Sequence, residues 1–402
     1  MRNPTNIQKN VIWYFVLTPF LFPVGFAEYF SGYKIFSAFI LGIAVFIILS
    51  QAIINIFYSR GIINLTIPVI CILIYHATLL TITMLKQGSI NQGFQKIFVV
   101  PAICLLLAEY GRKNFRNIID AGCNILISEF LLGIFVFNQW LFPSYFNPDN
   151  LIIFVGHVQK ASEIGILALF FAYCEYKYHS HNIKAILLCL LSILTMLSAK
   201  TSAAYLAIAV IFIMGILGNI IQVKKFVINH IKLLVIIFIV LSIMWINIYN
   251  IPIFYPYLST ISLYTSGRTD IWEKGLALFE ESPVLGYGAY GVMIKPFWTA
   301  WSANKLGFNY AHNTILQLLL DGGIVLAAVF IITLYSFIYS SEKYISDAST
   351  KYMIYVFLIS YLAVGQFESI TEHYYFFIFL SLIPYVDELL RYEESPGESY
   401  DS

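Results

Sequence analysis

The chain has 402 residues, of which 59% are hydrophobic and only 11% carry a charge. Soluble globular domains carry about 25% charged residues, so this composition excludes an ordinary soluble protein and favours an integral membrane protein. The formal net charge of +1 gives no reason to expect a nucleic-acid partner.

Apolar stretches of roughly 20 residues, the length that a helix needs to cross a bilayer, recur along nearly the whole chain. They predict an all-α polytopic membrane protein with about 12 transmembrane helices, arranged as a single integral domain over residues 1–402. The predicted spans cover approximately residues 11–31, 35–57, 62–85, 97–109, 118–140, 161–176, 185–199, 201–221, 233–250, 313–338, 352–367 and 374–390.

Basic residues of the short loops lie mainly on one side of these spans, as do Arg112, Lys113 and Arg116 between the fourth and fifth. Because such residues are enriched in cytoplasmic loops, we predict that both termini are cytoplasmic and that the long loop 251–312 lies on the outer face. Polar residues that meet at one membrane face predict a functional site. Those that arrive at the outer face are Lys200, Arg268, His312, Glu368, Glu372 and His373.

Aromatic residues are dense in the loop 251–312, which is typical either of an interfacial belt or of platforms that stack on sugar rings. Within this loop, TSGRTDIWEKGLALFEESP predicts a short amphipathic helix on the membrane surface. The helix is predicted to begin at Thr269 or Asp270 and to end at Pro283. Its apolar stripe would consist of Trp272, Leu276 and Phe279.

Arg268 stands just before that predicted helix, where its guanidinium would be available to bind an anion. An anchor for a phospholipid headgroup is the alternative interpretation of this position. The following GYGAYG, residues 286–291, matches the dinucleotide-binding fingerprint, but the strand, helix and later acidic residue that this fold requires are missing from the pattern. We predict instead a flexible turn that returns the loop to the bilayer.

The stretch YAHNTILQLLLDGG, residues 310–323, opens the next span with polar residues. Thr314 followed by Gln317 matches the capping-box pattern, so the helix is predicted to begin there, with His312 and Asn313 just outside it. A helix N-terminus favours a bound phosphate and disfavours an imidazolium, so His312 is expected to be a neutral proton acceptor. An interfacial histidine without a catalytic role is the alternative.

Gln317 and Asp321 continue the face of the helix that begins with Thr314, and these three residues are predicted to line a polar groove below His312. Gly322 and Gly323 are expected to admit a neighbouring helix. A later stretch, GQFESITEHYY, is interpreted as solvated loop charges or as a rim that holds an arginine in place. Its charged residues are Glu368, Glu372 and His373.

Together, SGRTDIWEKGLALFEESPVLGYGAYG and YAHNTILQLLLDGGI resemble the signature of the O-antigen ligase and polymerase superfamily. This superfamily contains the WaaL-like ligases, the Wzy-type polymerases and the bacterial O-oligosaccharyltransferases. The close resemblance covers about 60 residues, and the layout of spans with one large outer loop agrees over the rest. It implies a GT-C-like fold in the bacterial inner membrane, with the loop 251–312 in the periplasm.

Proteins of this superfamily take a glycan from undecaprenyl diphosphate and join it to an acceptor hydroxyl, without a metal or another cofactor, and are thought to invert the anomeric centre. By this resemblance, Arg268 and His312 are the catalytic residues. The candidate substrate-binding residues are Lys200, Asn313, Gln317, Trp272 and Glu368. The implied partners are the undecaprenyl diphosphate-linked glycan, an acceptor glycan or lipid A-core, the lipid bilayer and, as a further candidate, a chain-length regulator.

The chain departs from the superfamily in the turn LSAKTSAAYLA, where Lys200 stands at or next to the usual Ser-Arg. Lysine keeps the positive charge but loses the fork that binds phosphate oxygens bidentately. This departure favours an O-antigen or capsular polysaccharide polymerase over an O-antigen ligase. A secondary transporter is the alternative from another class, and Glu129 in the fifth span is the residue that would support it.

Overall fold

The computed structural model describes residues 4–21, 25–26, 30, 32–57, 65–136, 152–179, 182–265, 267–294 and 310–387. Within these ranges the chain is helical apart from loops and one short hairpin. In that hairpin, β1 (Ile152–Ile153) pairs antiparallel with β2 (Gly156–His157). The all-α membrane architecture predicted from composition is therefore confirmed.

The helices of the described ranges are numbered in chain order. They are α1 (Pro4–Leu21), α2 (Tyr33–Phe57), α3 (Ile67–Leu85), α4 (Val100–Leu131), α5 (Lys160–His179), α6 (Asn182–Ser198), α7 (Ser202–Leu217), α8 (Ile221–Ile246), α9 (Leu258–Tyr264), α10 (Arg268–Glu281), α11 (Thr314–Tyr344), α12 (Ala348–Val364) and α13 (Tyr375–Leu382). Two π-helical turns, Gln95–Val99 and Leu132–Val136, flank α4. Short 3-10 helices are Ile248–Asn250, Pro252–Tyr257, Gly291–Ile294 and Ile383–Tyr385.

Five helical segments of the described ranges are long and apolar enough to cross a membrane, and shorter apolar helices accompany them. The protein is thus a multi-pass membrane protein, whereas the number of crossings, the single domain and the side of the termini stay predictions. One predicted boundary is wrong, because the fourth span and most of the fifth lie in the single helical segment Gln95–Val136. The charged residues at 112–116 suggested a loop, but Lys and Arg are good helix formers and continue the helix.

The centre of the bundle is formed by α12 and α13, whose side chains are buried on all sides, as Tyr361 and Phe379 illustrate. An apolar helix that its neighbours surround in this way lies in the interior of the bundle. Around this centre, α3 packs along α11, α5 along α6, and α7 and α8 lie against α12. By contrast, α2 exposes Phe36, Phe39 and Phe46, which suits a face turned to lipid.

Helix α11 is interrupted at Gly322 and Gly323, and the loop 283–288 packs into the break. Gly323 has φ +61, and a Cβ atom there would lie 2.3 Å from the backbone of that loop. The backbone N–H groups of Tyr287 and Gly288 donate to carbonyl oxygens of α11 at 2.8 and 2.9 Å. Two predictions are therefore wrong. The glycine-rich stretch 286–291 is not a flexible turn, because hydrogen bonds to α11 fix it. Gly322 and Gly323 make room for this loop and not for a neighbouring helix. The remainder of the loop 251–312, from 295 to 309, lies outside the described residues.

Candidate functional site

The start of α11 fixes the backbone of His312, which has a left-handed conformation with φ +51. Asn313 caps the helix, because its Oδ1 accepts from the Leu316 N–H at 3.1 Å and its Nδ2 donates to the Gln366 carbonyl at 3.1 Å. The helix begins at Thr314 as predicted, but the predicted cap is wrong because Asn313 supplies it. Asn is at least as good an N-cap as Thr. Both ends of the Asn313 amide are engaged, so this residue positions His312.

Gln317 reaches back over the same turn. Its Oε1 accepts from the Ala311 N–H at 2.7 Å, and its Nε2 donates to Asp321 Oδ1 at 2.9 Å. The prediction that Gln317 and Asp321 share a polar face of the helix is confirmed. Both side chains are buried, however, so they form an internal hydrogen-bonded ladder that supports the backbone beside His312.

A single carboxylate joins the two predicted catalytic residues. Glu368 Oε1 accepts from Arg268 Nη2 at 2.5 Å, and Glu368 Oε2 lies 3.1 Å from His312 Nδ1. Glu368 is only 1% exposed and Arg268 9%. The interpretation of Glu368 as a solvated loop charge is therefore wrong, whereas the alternative, that it holds an arginine in place, is confirmed.

The loop that carries Glu368 folds inward because it bonds to the start of α11. The Thr314 hydroxyl donates to the Glu368 carbonyl at 3.0 Å and accepts from the Ile370 N–H at 3.2 Å. The Thr314 N–H donates to the Gly365 carbonyl at 2.9 Å. These backbone partners hold a charged loop in the interior, where each polar group needs a hydrogen bond.

Arg268 is the first residue of α10 and not a residue outside it, so the predicted helix start is one or two residues late. Gly267 supplies the turn before it with φ +75, which costs glycine little. The guanidinium donates through Nη2 to Glu368, so it is paired with a carboxylate, and its availability to an anion stays a prediction. The buried face of α10 packs on α8 and α11, and its position at a membrane surface stays a prediction. Its members are Arg268, Thr269, Ile271, Trp272, Gly275 and Leu278.

Trp272 is fully buried in an apolar cluster that includes Ile246, Leu278 and Leu316. Its indole Nε1 donates to the His312 carbonyl at 3.4 Å. A ring without an exposed face can neither belong to an interfacial belt nor stack on a sugar. Trp272 instead supports the backbone of the histidine.

Gln159, which the sequence did not single out, reaches the site from the segment between β2 and α5. The Gln159 amide nitrogen lies 3.2 Å from His312 Nδ1, and the Tyr310 hydroxyl donates to Gln159 Oε1. The rings of Tyr310 and His312 are 4.5 Å apart. His157 lies nearby: burial lowers its pKa, Glu368 opposes that shift, and His312 reinforces it. The only sequence signal for this segment was the polar run HVQK at the start of a predicted span.

A second buried network lies beside the first. Lys96 Nζ is 2.7 Å from Asp321 Oδ2 and also forms an ion pair with Glu372. The Tyr290 hydroxyl donates to Glu372 Oε2 at 3.3 Å. Burial raises the pKa of Glu372 to about 7, against the attraction of Lys96. Glu372 is therefore a buried, paired group, and its interpretation as a solvated charge is wrong.

Lys200 stands apart from these networks. It is exposed, in the turn between α6 and α7, with φ +51. Among the residues that the structure describes, no ion pair joins it to Arg268, His312 or Glu368. Its role as a diphosphate ligand stays a prediction.

The arrangement offers a histidine, a carboxylate that bridges it to a guanidinium, and an amide. Such a set can accept a proton and stabilise a developing negative charge. In the described part of the chain, no cluster of three His, Cys, Asp or Glu side chains is arranged to hold a metal ion.

Residues 187–331 match the family model described as O-antigen ligase. No curated protein sequence matches the chain. The matched range contains Lys200, Arg268 and His312 and ends within α11, whereas Glu368 and Gln159 lie outside it. The resemblance to the O-antigen ligase and polymerase superfamily is thereby confirmed.

Proposed function

We propose that the protein is a membrane glycosyltransferase of this superfamily, because residues 187–331 match the family model described as O-antigen ligase. It moves a glycan from undecaprenyl diphosphate to an acceptor sugar hydroxyl at the periplasmic face of the bacterial inner membrane. The acceptor is a second lipid-linked glycan, which makes the protein an O-antigen or capsular polysaccharide polymerase.

The observation that carries this proposal is the carboxylate of Glu368 between Arg268 and His312. When Glu368 accepts from Nδ1–H, the lone pair of the imidazole is on Nε2, which is then the nitrogen that takes a proton. The carboxylate also stabilises the imidazolium that forms. The pair therefore works as a base and its orienting group.

The reaction follows from these roles. The acceptor hydroxyl oxygen forms a bond to the anomeric carbon while His312 Nε2 takes its proton, which contributes about 10²- to 10⁴-fold. The bond from that carbon to the diphosphate oxygen breaks, and its electron pair leaves with the lipid diphosphate. Arg268 stabilises this charge, and attack opposite to the leaving group inverts the anomeric centre.

A polymerase and a ligase would use these residues for the same chemical steps. They differ in the acceptor, which is a second lipid-linked glycan for the polymerase and lipid A-core for the ligase. Lys200 in place of the usual arginine favours the polymerase, and the family match is compatible with either activity. A deletion strain separates the two. Lipid A-core that carries one repeat unit supports a polymerase, and long lipid-linked chains beside bare core support a ligase.

The decisive experiment compares histidine variants by gel analysis of surface polysaccharide, with protein levels measured in the same cells. His312→Ala is expected to abolish long chains. His230→Ala is the matched control, because this histidine is exposed on α8 and its ring stacks on Phe226. Full polysaccharide assembly by His312→Ala at normal protein level would refute the proposed function.

A further inference from the structure

Lys96 is a buried lysine that binds two separate elements of the site. It lies in the π-helical turn Gln95–Val99 and is 2% exposed. Its ammonium group lies 2.7 Å from Asp321 Oδ2 of α11 and also pairs with Glu372 of the loop after α12. Because it is buried, Lys96 has no surface with which to contact a glycan or a lipid diphosphate. Any effect of this lysine on the reaction must pass through the residues that it binds.

The first connection from Lys96 runs along α11 to the backbone beside His312. Asp321 Oδ1 accepts from Gln317 Nε2 at 2.9 Å, and Gln317 Oε1 accepts from the Ala311 N–H at 2.7 Å. All three of these residues are buried, so water does not compete for their bonds. Ala311 directly precedes His312, whose backbone is left-handed with φ +51. The ammonium group is therefore three hydrogen bonds away from the peptide group before the proposed base.

The second connection runs through the loop that carries Glu368. Glu372 lies four residues after Glu368, and its N–H donates to the Ser369 carbonyl at 3.0 Å, which closes a turn between them. The Tyr290 hydroxyl donates to Glu372 Oε2 at 3.3 Å, and Lys96 Nζ lies 5.1 Å from the centre of the Tyr290 ring. Lys96 thus fixes one end of the loop whose other end places Glu368 at the proposed base.

A second lysine of the described ranges also pairs with two carboxylates. Lys184 of α6 binds Asp120 of α4 and Glu175 of α5, and its side chain is 19% exposed. Glu175 lies 15 residues after the first residue of α5, which is about 22 Å along the helix from the end that meets the site. Lys184 therefore joins helices as Lys96 does but stands far from the proposed base, which makes it a control matched in its partners.

We propose that Lys96 is a positioning residue for glycan transfer, which sets His312 against Glu368 by binding one carboxylate in each element that carries them. This inference rests on the proposed function. Lys96 neither forms nor breaks a bond in the reaction. It holds the imidazole and its carboxylate in one arrangement, so the acceptor hydroxyl meets a base whose orientation is already fixed. Loss of Lys96 should therefore act on the rate of transfer rather than on the binding of substrate.

The test measures kcat and KM of the purified full-length protein in detergent, per folded protein as determined by thermal unfolding. The substrate is the lipid-linked glycan that a deletion strain accumulates. Lys96→Met is expected to lower kcat by about 10- to 100-fold, the cost of a misplacement of about 1 Å, with KM unchanged. Lys96→Arg keeps the charge and should recover most of kcat. Lys184→Met should lose stability but keep the kcat of the unaltered protein.

Gln317→Met remains informative if Lys96→Met does not fold. It keeps both ion pairs of Lys96 and removes only the link from Asp321 to the Ala311 N–H. It should lower kcat with KM unchanged, and the loss should not add to that of Lys96→Met, because the two residues belong to one chain of hydrogen bonds. An unaltered kcat in folded Lys96→Met or Gln317→Met, or an equal loss of kcat in Lys184→Met, overturns the inference.

His312→Ala in the same assay separates this inference from the proposed function. If His312→Ala is inactive while folded Lys96→Met keeps full kcat, the function stands and this inference alone is removed. Full transfer by His312→Ala would instead refute the proposed function, on which the role of Lys96 rests.

Discussion

Replacing Glu368 by glutamine tests the central geometry of the site. The substitution keeps the size and one acceptor oxygen but removes the negative charge. That charge now faces the Arg268 guanidinium at 2.5 Å and the His312 imidazole at 3.1 Å. Glu368→Gln should therefore affect both the rate of transfer and the stability of the fold.

The two effects can be estimated separately. A hydrogen bond to a charged group is worth about 1.5–3 kcal/mol, and the bond to His312 gains that strength only when the imidazole takes a proton. Since about 1.4 kcal/mol is one factor of ten in rate, we expect transfer to slow by about 10- to 150-fold. Arg268, 9% exposed, would lose its partner, and breaking a buried ion pair costs about 3–5 kcal/mol of stability.

The assay measures transfer in isolated membranes with a lipid-linked glycan, at protein levels matched by immunoblot. Thermal unfolding in detergent measures stability in parallel. Glu368→Asp keeps the charge on a shorter side chain, so it should lose less stability than Glu368→Gln. Arg268→Gln combined with Glu368→Gln should be less damaging than the sum of the single variants, because the two residues interact. Transfer by Glu368→Gln at the unaltered rate would refute the role given to this carboxylate.

Three further predictions concern the surroundings of the site. Because the folded state holds a proton on Glu372 up to about pH 7 against a usual pKa of 4.5, the melting temperature should fall as pH rises through this window. In Glu372→Gln this slope should be absent, and an unchanged slope would contradict the assignment. Gly323→Ala, at φ +61 and 2.3 Å from loop backbone, should lose several kcal/mol of stability, whereas Gly215→Ala, with open space around it, should be neutral or stabilising in the same melting assay. Lys96→Met should lower the free energy of unfolding by about 3–5 kcal/mol, with a strong fall in melting temperature, because it removes the cation that Asp321 and Glu372 share in the interior, and a mild loss would show that the network is dispensable.

Local sequence patterns correctly predicted where α11 begins and drew attention to Arg268 and His312. The start of α11 at Thr314, with His312 and Asn313 just outside it, followed from polar residues at the opening of an apolar run. Arg268 and His312 were singled out by one compound motif, although nothing local showed that they meet. They meet because the loop after α12 folds inward and inserts Glu368 between them.

Long-range partners were the part that sequence patterns missed. Gln159 reaches His312 across 153 positions, and Lys96 reaches Asp321 across 225. A charged residue in a loop is normally exposed to water. From one sequence alone, Glu368 and Glu372 are therefore interpreted as solvated side chains. Their burial depends on the basic residues that pair with them, and only the packing of the helices brings these residues close.

The conformation of His312 explains why so many contacts converge on a few residues. A left-handed backbone costs a non-glycine residue about 1–2 kcal/mol, and φ is +51 here. Gln317 binds the preceding N–H, Trp272 binds the carbonyl of His312, and Asn313 caps the following helix. Each neutral hydrogen bond contributes about 0.5–1.5 kcal/mol, so together they outweigh the strain. This strained turn therefore holds the imidazole against the Glu368 carboxylate before any substrate arrives.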